Sequence, residues 1–268
     1  MKRVVRSGKY SAFYLLLNLI FCVHSRADSD TLDSLLERTG KRIELFWEQF
    51  SAVACTESIS QKKVSLDRKV LSERRETFDY LIMMQLDGDE LSVEESRLQI
   101  GKLEKKARQP LLVTSGFPAL LLILHPHFQG SYEFSRLPDE GTKNGRLLRL
   151  GFQPIQGRRS PSAISLRGRD YPISWKGSAW LDSQSGMVVR IQTELNQSME
   201  DLGLKELKAD VSYAMVKFVS VAEACWLPQV ALVDAETPHQ RWRNIHQFQN
   251  YRKFSVETKS TTEEPQQR

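Results

Sequence analysis

WKGSAWLDSQSGMVVRIQTEL, residues 175 to 195, is the stretch on which the fold turns. Trp175, Gly177, Ala179 and Leu181 fall on one side of an extended chain, and Met187, Val189, Ile191, Thr193 and Leu195 resume the period of two. Between them, Asp182-Ser183-Gln184-Ser185-Gly186 supplies an Asp to open a turn and a Gly able to take positive φ at its end. This is a hairpin with one buried face and one wet face, the latter carrying Arg190, Gln192 and Glu194.

On the C-terminal side, Leu207, Ala209, Val211, Tyr213 and Met215 alternate with Lys208, Asp210, Ser212 and Ala214 within a strand over 204–218. Strands follow over 226–235 and 243–256, and on the N-terminal side strand signals cover 51–66, 76–86, 132–136 and 146–152. Together they make an antiparallel meander. Leu32, Leu35, Leu36, Thr39, Ile43, Phe46, Trp47 and Phe50 step by three and four, predicting an amphipathic helix over 30–50 with Asp30 as its N-cap. Pro118 opens and Pro126 closes a short apolar helix, Ala119 to Leu124, that plugs or lines the apolar side of the sheet. The run from Val93 to Arg108, rich in Glu, Lys and Arg, reads as a charged connection or short helix, and Gly157 to Asp170 as a basic, flexible loop. The expected fold class is α+β: a curved antiparallel sheet, or half-barrel, wrapping or packed on an N-terminal helix and a short inner helix.

The hairpin pattern resembles the LolA/LolB-type envelope proteins that sort outer-membrane lipoproteins, and an uncharacterised branch of secreted proteins built on that sheet. Phe50 with Cys55-Thr56-Glu57 resembles their first strand; Tyr213 to Phe218, Trp226-Leu227-Pro228 and Asn250-Tyr251-Arg252-Lys253-Phe254 resemble their closing strands. The resemblance covers about residues 32 to 257. It implies an apolar concave surface for acyl chains, and no working residue of the family transfers by motif.

The first 27 residues have the anatomy of a signal peptide: Lys2, Arg3, Arg6 and Lys9, an apolar run from Ala12 to Val23, and Ser25-Arg26-Ala27 as a small-x-small cleavage site. The run is well below the ~20 residues needed to span a bilayer, so the chain is not expected to be transmembrane once the signal is removed. With Arg26, these basic residues account for the whole net charge of +5, which leaves no reason to propose a nucleic-acid partner. Residues 28–257 then form one domain, and 258–268 make a tail too polar to pack. An exported chain meets oxidising conditions, and Cys55 and Cys225 are expected to pair, with two buried thiols as the alternative.

Chemistry is sparse. No zinc-protease, nucleophile-elbow, P-loop or dinucleotide motif occurs, so no catalytic residue, metal or cofactor is assigned. Ser60-x-x-Lys63 lies in a strand, where residues three apart face opposite sides. His125-Pro126-His127 lacks a neighbouring Asp, Glu or Cys at ligand spacing. The expected function is that of a non-enzymatic cell-envelope or periplasmic protein offering an apolar cavity to a lipid or to the acyl chain of a lipoprotein. An envelope protein partner is a further expectation of this reading. Candidate cavity residues are Leu121, Leu122, Trp175, Met187, Val189, Ile191, Val211, Tyr213 and Met215. The alternatives are a structural or interaction module with a filled cavity, and an enzyme of unrecognised type.

Overall fold

The computed structural model describes residues 31–49, 52–67, 69–87, 90–101, 116–143, 145–166, 169–218 and 225–253. The signal segment, the predicted cap Asp30, the end of the charged run from residue 102 and the polar tail lie outside them. The described chain opens with α1 (Leu32–Gln49), whose Leu35, Thr39, Ile43, Phe46 and Trp47 are buried, as its apolar spacing requires.

A ten-stranded antiparallel sheet follows, formed by β1 (Ala52–Val64), β2 (Val70–Asp87), β3 (Glu90–Gln99), β4 (Tyr132–Thr142), β5 (Gly145–Pro154), β8 (Trp175–Asp182), β9 (Val188–Leu195), β10 (Glu206–Val216), β11 (Cys225–Glu236) and β12 (Arg241–Lys253). Their order is β3-β2-β1-β12-β11-β10-β9-β8-β5-β4, an open sheet in which the last strand lies against the first. A separate small hairpin joins β6 (Ala163–Leu166) to β7 (Arg169–Pro172). The 3-10 helix Ala119–Leu124 is buried at every position, and α2 (Pro126–Gln129) follows it directly. Gln129 Nε2 donates to the Leu124 carbonyl at 2.8 Å and to the Leu36 carbonyl of α1 at 3.0 Å, so one side chain ties the three helical pieces together. Among the described residues no helix is long and apolar enough to cross a membrane.

The hairpin forms as read, with a correction of register. Asp182 Oδ1 accepts from the Ser185 N–H at 2.8 Å and from the Ser185 hydroxyl at 2.7 Å, and Gly186 ends the turn at φ 71°. Gly186 also meets α1, since Thr39 Oγ1 donates to its carbonyl at 3.0 Å. In β9, however, Trp180 pairs with Arg190 and Leu181 with Val188, so Val189 is the extra residue of a bulge. Val188 is therefore the buried side chain, while Met187 and Val189 are half-buried. Trp180, on the other face, is nonetheless buried, because the guanidinium groups of Arg149 and Arg190 lie 4.8 and 4.9 Å from its ring centroid.

Gly177 is required by close approach across this hairpin. A Cβ there would stand 1.9 Å from the Gln192 carbonyl oxygen, a backbone atom that cannot rotate away. Gly177→Ala is expected to destabilise the protein by about 2 to 3 kcal/mol, measured by urea unfolding, because the two strands must part to admit the methyl group. A loss below about 0.5 kcal/mol would show that β8 and β9 do not approach so closely.

Three other expectations are corrected. From Glu90 to Gln99 the chain is a strand paired with β2, where a charged connection or short helix was expected: Leu91, Val93, Glu95 and Arg97 alternate with exposed Ser92, Glu94, Ser96 and Leu98. The basic loop holds the β6–β7 hairpin, in which Ile164 pairs with Tyr171. Cys55 is a free, buried thiol, and burial pushes it up to about 12. β12 lies between β1 and β11, whose first residue is Cys225. Two interstrand spacings, roughly 9 to 10 Å, exceed the ~7 Å that a disulfide can bridge between Cα atoms.

Candidate functional site

Because β1, β2, β3 and β12 adjoin, their inward side chains meet on the concave face. Here the interior is charged. Glu57 of β1 is fully buried and takes the Arg97 guanidinium of β3 through Nε at 2.5 Å and Nη2 at 3.1 Å. Its Oε1 also lies 2.8 Å from His246 Nδ1 of β12. A carboxylate accepts only, so His246 carries its proton on Nδ1 and donates it. The Arg97 guanidinium lies 4.2 Å from the centroid of the buried Tyr80 ring on β2. Glu95, two residues before Arg97 and on the same face, accepts the Gly116 N–H at 2.7 Å, and its Oε2 stands 3.5 Å from Arg97 Nη1.

The two carboxyl groups are pushed apart by their surroundings. Burial opposes ionisation of Glu57, but His246 and Arg97 outweigh it and hold the group below the usual glutamate range. For Glu95 burial wins over Arg97 and the Gly116 N–H, and the group is raised. His246 is lowered by burial, with Glu57 opposing, so it is neutral near pH 7.

Phe117 bridges this cluster to the apolar space beside it. Its ring centroid lies 4.8 Å from that of His246 and 5.8 Å from that of Phe248, and its carbonyl accepts from the buried Tyr213 hydroxyl at 3.0 Å. Beyond it a cavity of about 660 Å³ extends along the concave face. Leu120 of the 3-10 helix, Trp175, Leu207, Val233 and Trp242 line it, and Ile164 and Ile173 contribute from the β6–β7 region. Glu95 and Arg97 form its polar wall.

Of the residues expected to line a cavity, Trp175 does so. Leu121, Leu122, Ile191, Val211 and Tyr213 are buried in the hydrophobic core, and Met187 and Val189 are half-buried near the hairpin turn. Met215 is 56% exposed. It lies near the end of its strand, beyond the Lys208–Ser212 stretch that pairs with β9. The other lining residues, among them Leu120, Leu207, Val233, Trp242 and the charged pair of β3, were not among those expected; for the pair, the alternation Leu91-x-Val93-x-Glu95-x-Arg97 was the available signal. His125 caps α2 by accepting the His127 N–H at 3.1 Å, whereas His246 sits against Glu57. Among the described residues no three His, Cys, Asp or Glu side chains are grouped to hold a metal ion.

No family model matches the chain, and no curated protein matches it in sequence. In fold it is similar to a domain assigned to outer membrane lipoprotein sorting from Vibrio parahaemolyticus, at 13% identity and TM-score 0.43, over 80% of this chain and 93% of that one. It is also similar to a DUF1329 family protein from Desulfovibrio piger, at 9% identity and TM-score 0.45, over 84% of this chain and 94% of the other. At these identities the likeness is one of fold alone.

Proposed function

We propose that this chain is a non-enzymatic protein of the cell envelope whose concave cavity takes one apolar chain of a lipid or of an acylated protein. The observation that carries the reading is the cavity itself, about 660 Å³ with an aromatic and aliphatic lining, within the roughly 300 to 1,000 Å³ typical of small-molecule sites. Burying about ten methylenes there would supply about 8 kcal/mol before the costs of ordering are subtracted. The 3-10 helix that supplies Leu120 is short and bounded by Pro118 and Pro126, so it can shift without unravelling a longer element. Export rests on the charged and apolar pattern of residues 1–27, with residues 28–257 as the working domain.

A fluorescent acyl probe titrated into delipidated protein is expected to bind saturably at one site. Leu120→Trp is expected to weaken it: displacing about two methylenes costs about 1.6 kcal/mol, roughly 15-fold in affinity. An unchanged thermal midpoint would show that the fold survives the larger side chain. Absence of saturable binding, or equal binding by wild type and Leu120→Trp, would make the chain a structural or interaction module instead.

A further inference from the structure

We infer that Lys63 is the head-group anchor of this cavity, and that the ligand is a single-chain amphiphile whose anionic head, a carboxylate or a phosphate, pairs with the Lys63 ammonium. The inference rests on the reading of the cavity as an acyl site and adds the charge and the place of the head. Lys63 of β1 stands opposite Trp242 of β12, Trp242 opposite Ala235 of β11, and Ala235 opposite Leu207 of β10. Residues directly opposite one another share a face of the sheet, and the last three of this row line the cavity, so Lys63 is on the concave side at the end of that row. Its ammonium lies 5.3 Å from the centroid of the Trp242 ring, within cation–π reach. The ring that lines the cavity therefore also positions the lysine. Trp242 is the second residue of β12, and Thr237, just past the end of β11, lines the cavity too, so this is the rim of the sheet. From a head at this rim, an apolar chain runs inward along Leu207, Val233, Leu120 and Trp175.

Charge singles out Lys63 among the cations nearby. Arg97 is engaged by Glu57 through two donors and has Glu95 beside it. Arg241 and Lys205 both meet Glu236, and Arg74 meets Glu76. Lys62, next in sequence and on the opposite face, meets Glu73. Lys63 is half-buried, and among the described residues no carboxylate stands within ion-pair distance of it. Immediately inside it, β1 and β12 present Gln61 and Asn244, which hydrogen-bond to one another at 2.8 Å and carry no charge. An ammonium held beside a largely apolar cavity with no carboxylate at hand attracts an anionic head and repels a cationic one.

The test is displacement of the fluorescent acyl probe from the delipidated full chain by laurate, dodecyl phosphate, methyl laurate and dodecylammonium at about pH 8, where carboxylate and ammonium heads are both ionised. Laurate and dodecyl phosphate are expected to bind about 5-fold tighter than methyl laurate, the worth of one partly solvated ion pair, and dodecylammonium more weakly than the ester. The preference should shrink as sodium chloride is raised from about 0.02 M to about 0.5 M. The tighter of laurate and dodecyl phosphate identifies the head as carboxylate or phosphate, and either order supports the anchor. Lys63→Arg is expected to keep the preference for anions and Lys63→Met to lose it. Lys63→Glu is expected to reverse it, so that dodecylammonium becomes the tighter ligand, a result that a merely structural lysine would not give. No preference for the anions in the wild type, or a preference unaltered in Lys63→Met and Lys63→Glu, would overturn the anchor and leave the cavity standing. Failure of laurate and methyl laurate alike to displace the probe would remove the acyl reading and the anchor together.

Discussion

Arg97→Leu is expected to destabilise the protein by about 3 to 5 kcal/mol in urea unfolding, the cost of leaving one member of a buried ion pair without its partner. The leucine fills part of the guanidinium's space but leaves Glu57, fully buried, with only a neutral His246 to accept from. The double variant Glu57→Gln with Arg97→Met should recover most of the loss, since the glutamine oxygen still accepts from His246 and no unpaired charge remains. The acid side carries a matching sign. A carboxyl held below its unfolded value stabilises above the ordinary glutamate range, and that contribution is lost as pH falls through the depressed folded value. A loss below about 1 kcal/mol for Arg97→Leu would mean that the pair is solvated like a surface salt bridge.

Val188→Asp is expected to cost about 3 to 5 kcal/mol, and Val189→Asp, one residue away, under about 1 kcal/mol. Val188 is 1% exposed and belongs to the hydrophobic core, whereas Val189 is the bulged residue and half-buried. An aspartate at 188 must either ionise without a partner or take up a proton in an apolar site. At 189 it can turn toward water. The reverse order of effects would restore the unbroken alternation of Met187, Val189 and Ile191 and remove the bulge.

This hairpin also marks where sequence reading holds and where it stops. Asp182 to Gly186 announces a turn through local chemistry, and Ala209, Val211 and Tyr213 alternate without interruption, so both elements were legible. A bulge leaves no residue-type signature, and the one after Trp180 moved Val188 inward; Met215 lies outside because its strand runs past its pairing with β9. The strand from Glu90 to Gln99 was obscured for a different reason. Its inward positions change from Leu91 and Val93 to Glu95 and Arg97, and charge at a buried position reads as a solvated face unless its partner is known. Glu57 and His246, the partners that matter, stand far away in sequence on β1 and β12. Inward charges also suit an edge strand, since β3 ends the sheet and such residues discourage pairing with another chain. The cysteine pairing failed on topology: nothing local indicates that the last strand inserts beside the first and separates Cys55 from Cys225.

Native mass spectrometry of the delipidated full chain, incubated with methyl laurate and compared with Leu120→Trp, tests most directly whether the concave cavity is an acyl site. One ester molecule per wild-type chain is expected, with a much reduced adduct in the variant. No adduct in either, or equal adducts in both, would contradict the acyl site.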